Sequence, residues 1–227
     1  VSATQRTGQN SPRAAIGDYD NDGLNDIAIV YGAGNGNVTV YKSDGTTIIK
    51  QWTGLNQPGG VAIGDYNNDG LNDLAFVEYG ESGKVTVYKN DGTTIIKQWT
   101  GLYYPIGVDI GDYNNDGLND LAFTEYMGGN VYVYKSDGTT IIKQWTGLTL
   151  PDCVAIGDYN NDGLNDLAFT ERGWSEGEGK LTVYKSDGTT IIKQWTGLYY
   201  PLGFAIGDYN NDGLNDLAFT EQYKNTT

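Results

Sequence analysis

Gly64-Asp65-Tyr66-Asn67-Asn68-Asp69-Gly70-Leu71-Asn72-Asp73 is the stretch that decides how this chain is read. The same ten residues recur at 111–120, 157–166 and 207–216, and 17–26 differs only in carrying Asp20. Counted from the leading aspartate, oxygen-bearing side chains stand at the first, third, fifth and ninth positions, with glycine at the sixth. Calcium takes about six to eight oxygen ligands at about 2.3–2.6 Å, and a glycine turn lets a short loop wrap around it. The carbonyl of the seventh residue adds a further oxygen. The expected ligands in the first copy are Asp18, Asp20, Asp22, Leu24 and Asp26. In the second they are Asp65, Asn67, Asp69, Leu71 and Asp73, and in the third Asp112, Asn114, Asp116, Leu118 and Asp120. The fourth offers Asp158, Asn160, Asp162, Leu164 and Asp166, and the fifth Asp208, Asn210, Asp212, Leu214 and Asp216. About five Ca2+ ions are therefore expected.

Asn-Asp-Gly is a turn signal on its own, with or without an ion. Five copies at one place in a repeat argue for the ion. A helix–loop–helix calcium hand needs a glutamate at position twelve and helices on both sides. Position twelve here is Ile29, Phe76, Phe123, Phe169 or Phe219, and the flanks are short apolar runs without helical periodicity. Each loop is thus expected to join two strands.

Loop-to-loop spacings of 47, 47, 46 and 50 residues mark an internal repeat. The second repeat reads as four strands: 60–66, 74–79, 84–89 with alternating Val85 and Val87, and 93–99 after the turn Asn90-Asp91-Gly92. The variable loop is 80–83 and the connector 100–105. Four antiparallel strands in such a repeat are the measure of a propeller blade. The fold class expected is all-β, a single propeller of about five blades. Its repeats run about 14–58, 59–105, 106–151 and 152–201, with 202–227 as a partial fifth. Residues 1–8, which align with a fourth strand, or a strand from another chain, would complete the fifth. Strand donation between chains would generate filaments if the contact does not close.

Composition narrows the function. The 227 residues suffice for one large all-β domain, and 33 glycines with 18 tyrosines suit short strands and tight turns. The formal charge is −15, and sixteen of the 29 acidic residues lie in the five loops. Five divalent ions would bring that charge to about −5. Nucleic acid is not an expected partner, because no basic patch meets phosphate. No run of residues approaches a membrane span. The opening residues lack a signal-peptide pattern, which reads as a mature or trimmed chain. The single cysteine, Cys153, forms no intrachain disulfide and is expected to be a buried small residue, standing where other repeats carry Gly60, Gly107 and Gly203. Weak calcium loops fill where calcium is near millimolar, so the expected location is extracellular or the cell surface.

The loop Asp18-x-Asp20-x-Asp22-Gly23-x-x-Asp26, followed by a short apolar strand, resembles the FG-GAP/VCBS repeat. That resemblance covers essentially the whole chain. It implies the calcium-bearing β-propeller of integrin α subunits and of lectin-like and cell-surface proteins. Its ligands correspond to the residues named above. Asn67, Asn114, Asn160 and Asn210 replace the aspartate at position three, which implies weaker sites than the first.

The chain has no histidine, so His-based triads are excluded. Glu78, Glu125, Glu171 and Glu221 fall one per repeat, and no enzymatic activity is expected. Trp52, Trp99, Trp145 and Trp195 recur one per repeat and read as packing wedges. Binding is sought where repeats differ: Tyr103, Tyr104, Tyr199 and Tyr200 on the connectors, near calcium that would orient sugar hydroxyls, and Trp174 in the longest variable loop, 172–179. Two sequons, at Asn37 and Asn225, are compatible with secretion. The reading is a calcium-stabilised recognition or adhesion module for a glycan or a cell-surface protein. The alternative is a structural protein that self-associates through the fifth blade.

Overall fold

The computed structural model describes residues 13–32 and 35–222. The strand expected within residues 1–8 and the sequon at Asn225 lie outside the described residues. The chain divides into two units, Val1–Ile110 and Gly111–Thr227. All regular structure among the described residues is β, and four-stranded antiparallel sheets recur along the chain.

In the first unit, β1 (Arg13–Gly17), β2 (Asp26–Tyr31), β3 (Asn35–Tyr41) and β4 (Ile48–Asn56) form one sheet in that order. A second sheet holds β5 (Pro58–Gly64), β6 (Asp73–Glu78), β7 (Gly83–Tyr88) and β8 (Ile95–Leu102), and β9 (Pro105–Gly111) closes the unit. The second unit contains β10 (Asp120–Glu125), β11 (Asn130–Tyr134) and β12 (Ile141–Trp145) as antiparallel neighbours. It continues with the sheet of β13 (Pro151–Gly157), β14 (Asp166–Glu171), β15 (Gly179–Tyr184) and β16 (Ile191–Leu198). The last pair is β17 (Pro201–Gly207) and β18 (Asp216–Glu221).

Strand bounds in the second repeat differ from expectation for identifiable reasons. The fourth strand starts at Ile95, two residues late. The Asp91 carboxylate accepts the N–H of Thr93 and Thr94, each at 2.7 Å, and so keeps both threonines in the turn. It then runs on to Leu102, which leaves a connector of two residues. The first strand starts at Pro58, which pairs with Glu78, and Gly59 and Gly60 lie against β9. A Cβ on Gly60 would stand 2.7 Å from the carbonyl oxygen of Ile106.

The second strands β6, β10 and β14 are buried on both faces, as in Asp73–Glu78. Within each unit, consecutive sheets pack against one another and share a core. Trp52 meets Phe76 and Tyr88 of the next repeat, and Trp145 meets Phe169 and Tyr184 in the same way. Each indole also lies under a lysine, Lys50 at 5.9 Å and Lys143 at 5.7 Å. The packing role read for these tryptophans holds, with Trp195 only half-buried. Cys153 is half-buried, not buried; its S–H points to the carbonyl of Leu202, 2.9 Å away.

Trp145→Ala should cost about 3–5 kcal/mol in a urea unfolding curve, because an interlocked ring is lost from between two sheets. Gly60→Ala should cost about 1–3 kcal/mol in the same assay, because its new methyl meets backbone rather than a movable side chain.

Candidate functional site

The acidic loops join the first and second strands of every repeat. Their geometry is built from backbone N–H groups turned onto carboxylates. In the first copy Asp18 accepts from Asp22 N (3.0 Å) and Gly23 N (2.9 Å), and Asp22 accepts from Leu24 N (3.0 Å). Asp26 closes the base of the loop, taking the N–H of Tyr19 (3.0 Å) and Asp20 (3.1 Å). Asp18, Asp20 and Asp22 bring carboxylate oxygens within 4.8 Å of one another. One oxygen each of Asp20 and Asp26 is buried with no hydrogen-bond partner. Buried anionic oxygens without donors are what a bound cation would satisfy, so this loop fits calcium.

The asparagine copies are less charged. The side-chain oxygens of Asn67, Asn114, Asn160 and Asn210 each accept the N–H of the residue two ahead, at 2.8–2.9 Å. One lone pair of each amide oxygen is therefore engaged within the loop.

Burial dominates four of the ninth-position carboxyls. Asp73 and Asp120 are both pushed up to about 6, partly offset by the N–H groups of Asn67 and Asn90 around the first and of Asn114 and Tyr113 around the second. Asp26 and Asp166 shift the same way for the same reason. At the fifth position Asp22, Asp69, Asp116 and Asp162 go down. The Leu24 N–H and then the Lys42 ammonium lower Asp22, and Lys89 lowers Asp69.

Three features of the loops escaped the sequence reading. The first is a lysine at the end of each third strand. Lys42 lies 2.7 Å from Asp20 and 3.2 Å from Asp22, and Lys89, Lys135 and Lys185 reach Asp69, Asp116 and Asp162 at 2.9–3.1 Å. The second is the tyrosine at position two. Tyr19, Tyr66 and Tyr113 are among the most buried side chains and plug the core below the loop. The third is a link between successive loops made by asparagines at positions four and eight. Asn72 N donates to Asn21 Oδ1 (3.1 Å), and Asn72 Nδ2 donates to the carbonyl of Asp18 (2.7 Å). Asn165 repeats this on Asn115 and Asp112, and Asn215 on Asn161 and Asp158. Asn21 adopts φ 59°, a left-handed conformation that asparagine tolerates better than most residues. Recurrence of both asparagines in all five copies was the available signal.

The connectors and variable loops sit at the opposite end of the strands from the acidic loops. A strand of six or seven residues separates them by about 20 Å. The expectation that calcium lies near the connector tyrosines is therefore corrected. In the first unit Tyr103, Tyr104 and Tyr79 form an aromatic cluster, with ring centroids 4.8–4.9 Å apart in successive pairs. Tyr103 is exposed and Tyr104 half-buried. In the second unit Trp174 is 69% exposed, and Tyr199 and Tyr200 are half-buried. The strand-end glutamates are engaged structurally at this end. Glu78 accepts Asn56 N (3.0 Å), Glu171 accepts Thr149 N (2.8 Å), Glu221 accepts Tyr199 N (3.0 Å), and Glu125 accepts from Asn130 and Tyr132.

Repeated antiparallel sheets, each opened by an acidic turn, define an all-β repeat protein. The FG-GAP-like repeat matches at 18–76, 65–123, 112–169 and 158–219, each segment running from one acidic loop through the strand after the next. The chain belongs to this FG-GAP-like repeat family, as the loop motif suggested. No protein of curated function matches it in sequence. Its fold is similar to that of BBS1N, crystallised in complex with ARL6DN, at a TM-score of 0.57 and 18% identity over 87% of this chain and 58% of that one. It is also similar to the V. cholerae biofilm matrix protein Bap1, at a TM-score of 0.54 and 19% identity over 87% of this chain and 30% of that one. This chain thus spans less than two thirds of the length of either structure. No helix among the described residues is long and apolar enough to cross a membrane.

Asn165→Ala should lower stability by about 1 kcal/mol, read by chemical denaturation, through loss of the bond to the Asp112 carbonyl. In ion-free protein, the raised carboxyls of Asp73 and Asp120 mean that the folded state binds extra protons. Their contribution is fully present below the unfolded carboxyl value of about 3.9 and is lost as pH rises through about 6. Chelated protein should therefore melt at a higher temperature at pH 5 than at pH 7.

Proposed function

We propose that this chain is a calcium-stabilised, non-enzymatic recognition or adhesion module of the extracellular space, built as a propeller of about five blades. The observation that carries the reading is the separation of the two strand ends. One end repeats the same acidic turn in every copy, and the other carries the residues that vary. Asp18, Asp20, Asp22, Asp26 and the carbonyl of Leu24 would hold the ion of the first loop, and their equivalents those of the other copies. The ion supplies positive charge among carboxylates that otherwise repel one another. The non-enzymatic reading is supported by the absence of histidine and by the engagement of each strand-end glutamate in hydrogen bonds.

Glycan or cell-surface protein is the proposed ligand. The biofilm matrix role of Bap1 supports an extracellular setting, and the complex of BBS1N with ARL6DN supports a protein partner as the second ligand class. A second reading, a structural protein assembled by strand exchange, draws on β17–β18. Among the described residues this sheet has two strands, and β18 is half-exposed where β6, β10 and β14 are buried.

Thermal unfolding with calcium and with chelator tests the ion. Each site held at about 100 times its Kd adds about 2.7 kcal/mol, or roughly 5–10 °C in Tm. An unchanged melting temperature refutes calcium in the loops. Asp20→Asn should weaken the tightest site selectively in a calcium titration. A glycan array in calcium tests recognition, and filaments in electron micrographs would favour the second reading.

A further inference from the structure

The loop 172–178 between β14 and β15 breaks the repeat, and it holds an indole in water. Trp174 is 69% exposed, whereas Trp52, Trp99 and Trp145 are buried. The loop backbone beneath it is fixed. Arg172 N donates to the carbonyl of Leu150 (3.0 Å), Gly173 N to that of Thr149 (3.3 Å), and Glu178 N to that of Ser175 (3.2 Å). The Glu178 carboxylate accepts the N–H of Trp174 (3.1 Å) and of Ser175 (3.0 Å). Gly173 has φ 74°, and a Cβ there would stand 2.6 Å from the Cβ of Glu178. A large apolar ring displayed by a rigid turn contributes little to folding but is pre-organised for contact.

Beside the indole runs an open groove of about 400 Å³, lined by Thr149, Glu178, Lys180, Thr196 and the backbone of two glycines. We propose that this groove is a carbohydrate subsite, taking one gluco-configured pyranose of a β-linked oligosaccharide with its C–H face on Trp174. The proposal rests on the recognition-module reading and names its ligand class. A sugar whose hydroxyls are all equatorial leaves C–H groups on both ring faces, which suit an aromatic platform. Its edge hydroxyls both donate and accept. They meet the threonine hydroxyls, the Glu178 carboxylate and the Lys180 ammonium, which also lies 3.7 Å from Glu171. A protein partner would need about 800 Å² of matching surface, and one indole rimmed by hydroxyls is far smaller.

The test is an NMR titration of the full chain in calcium, with cellotetraose as the probe and a β-1,4-galactotetraose, whose O4 is axial, as the comparison. Cellotetraose is expected to shift the Trp174 indole N–H signal and to bind more tightly than the galactan. Trp174→Ala should weaken binding about tenfold or more with an unchanged melting temperature, since the ring is exposed. Trp174→Tyr should retain most of the affinity. No shift of the Trp174 signal in the unsubstituted protein, or equal affinity in Trp174→Ala, overturns the site. Equal affinity in Trp174→Ala still leaves a recognition module that binds sugar elsewhere. Failure of the module reading itself appears separately, as no ligand on the array.

Discussion

The buried aspartate at the base of the first four acidic turns is the constraint from which the rest follows. Asp73 is fully buried and Asp26 nearly so. A carboxylate taken from water must find donors or a cation. Backbone N–H groups of the turn supply part of that need, and doing so they fix the path from the first strand to the second. The turn then presents its other carboxylates together, and the lysine at the end of the third strand comes to meet them.

That arrangement also ties one repeat to the next. The left-handed asparagine at position four offers its side chain to the following loop, whose position-eight asparagine returns a bond to the leading aspartate's carbonyl. Below the turn, a buried tyrosine and the tryptophan of the fourth strand lock into the neighbouring sheet, as Tyr113 and Trp145 do. Polar links at the loop end and aromatic wedges beneath it hold the same pairs of sheets. β18, the second strand of the last described pair, is half-exposed.

The end opposite the acidic turns is free of these demands, and there the repeats diverge. Connector residues ahead of each proline still adopt a left-handed conformation, Gln57, Tyr104, Leu150 and Tyr200 alike. In two of these connectors the turned carbonyl is seen receiving an N–H from beyond the second strand, Gln57 from Tyr79 and Leu150 from Arg172. The backbone of the connectors is thus constrained while their side chains are not. Recognition residues can change there without disturbing the core.

Local chemistry wrote much of this into the sequence. Acidic residues at alternate positions with glycine at the sixth announced the turns. The apolar run Leu74-Ala75-Phe76-Val77 announced a strand, and Asn90-Asp91-Gly92 announced a hairpin. Strand ends were less legible, because Asp91 captures two threonines that look like strand, and Gly60 owes its place to Ile106 on another strand. Only the tertiary structure decided that the asparagines at positions four and eight bridge neighbouring turns, and that a lysine from the third strand reaches the carboxylates. The physical reason is the same in each case. Period and turn chemistry act between residues close in the chain, whereas these contacts join residues some twenty to fifty positions apart, brought together only when sheets pack.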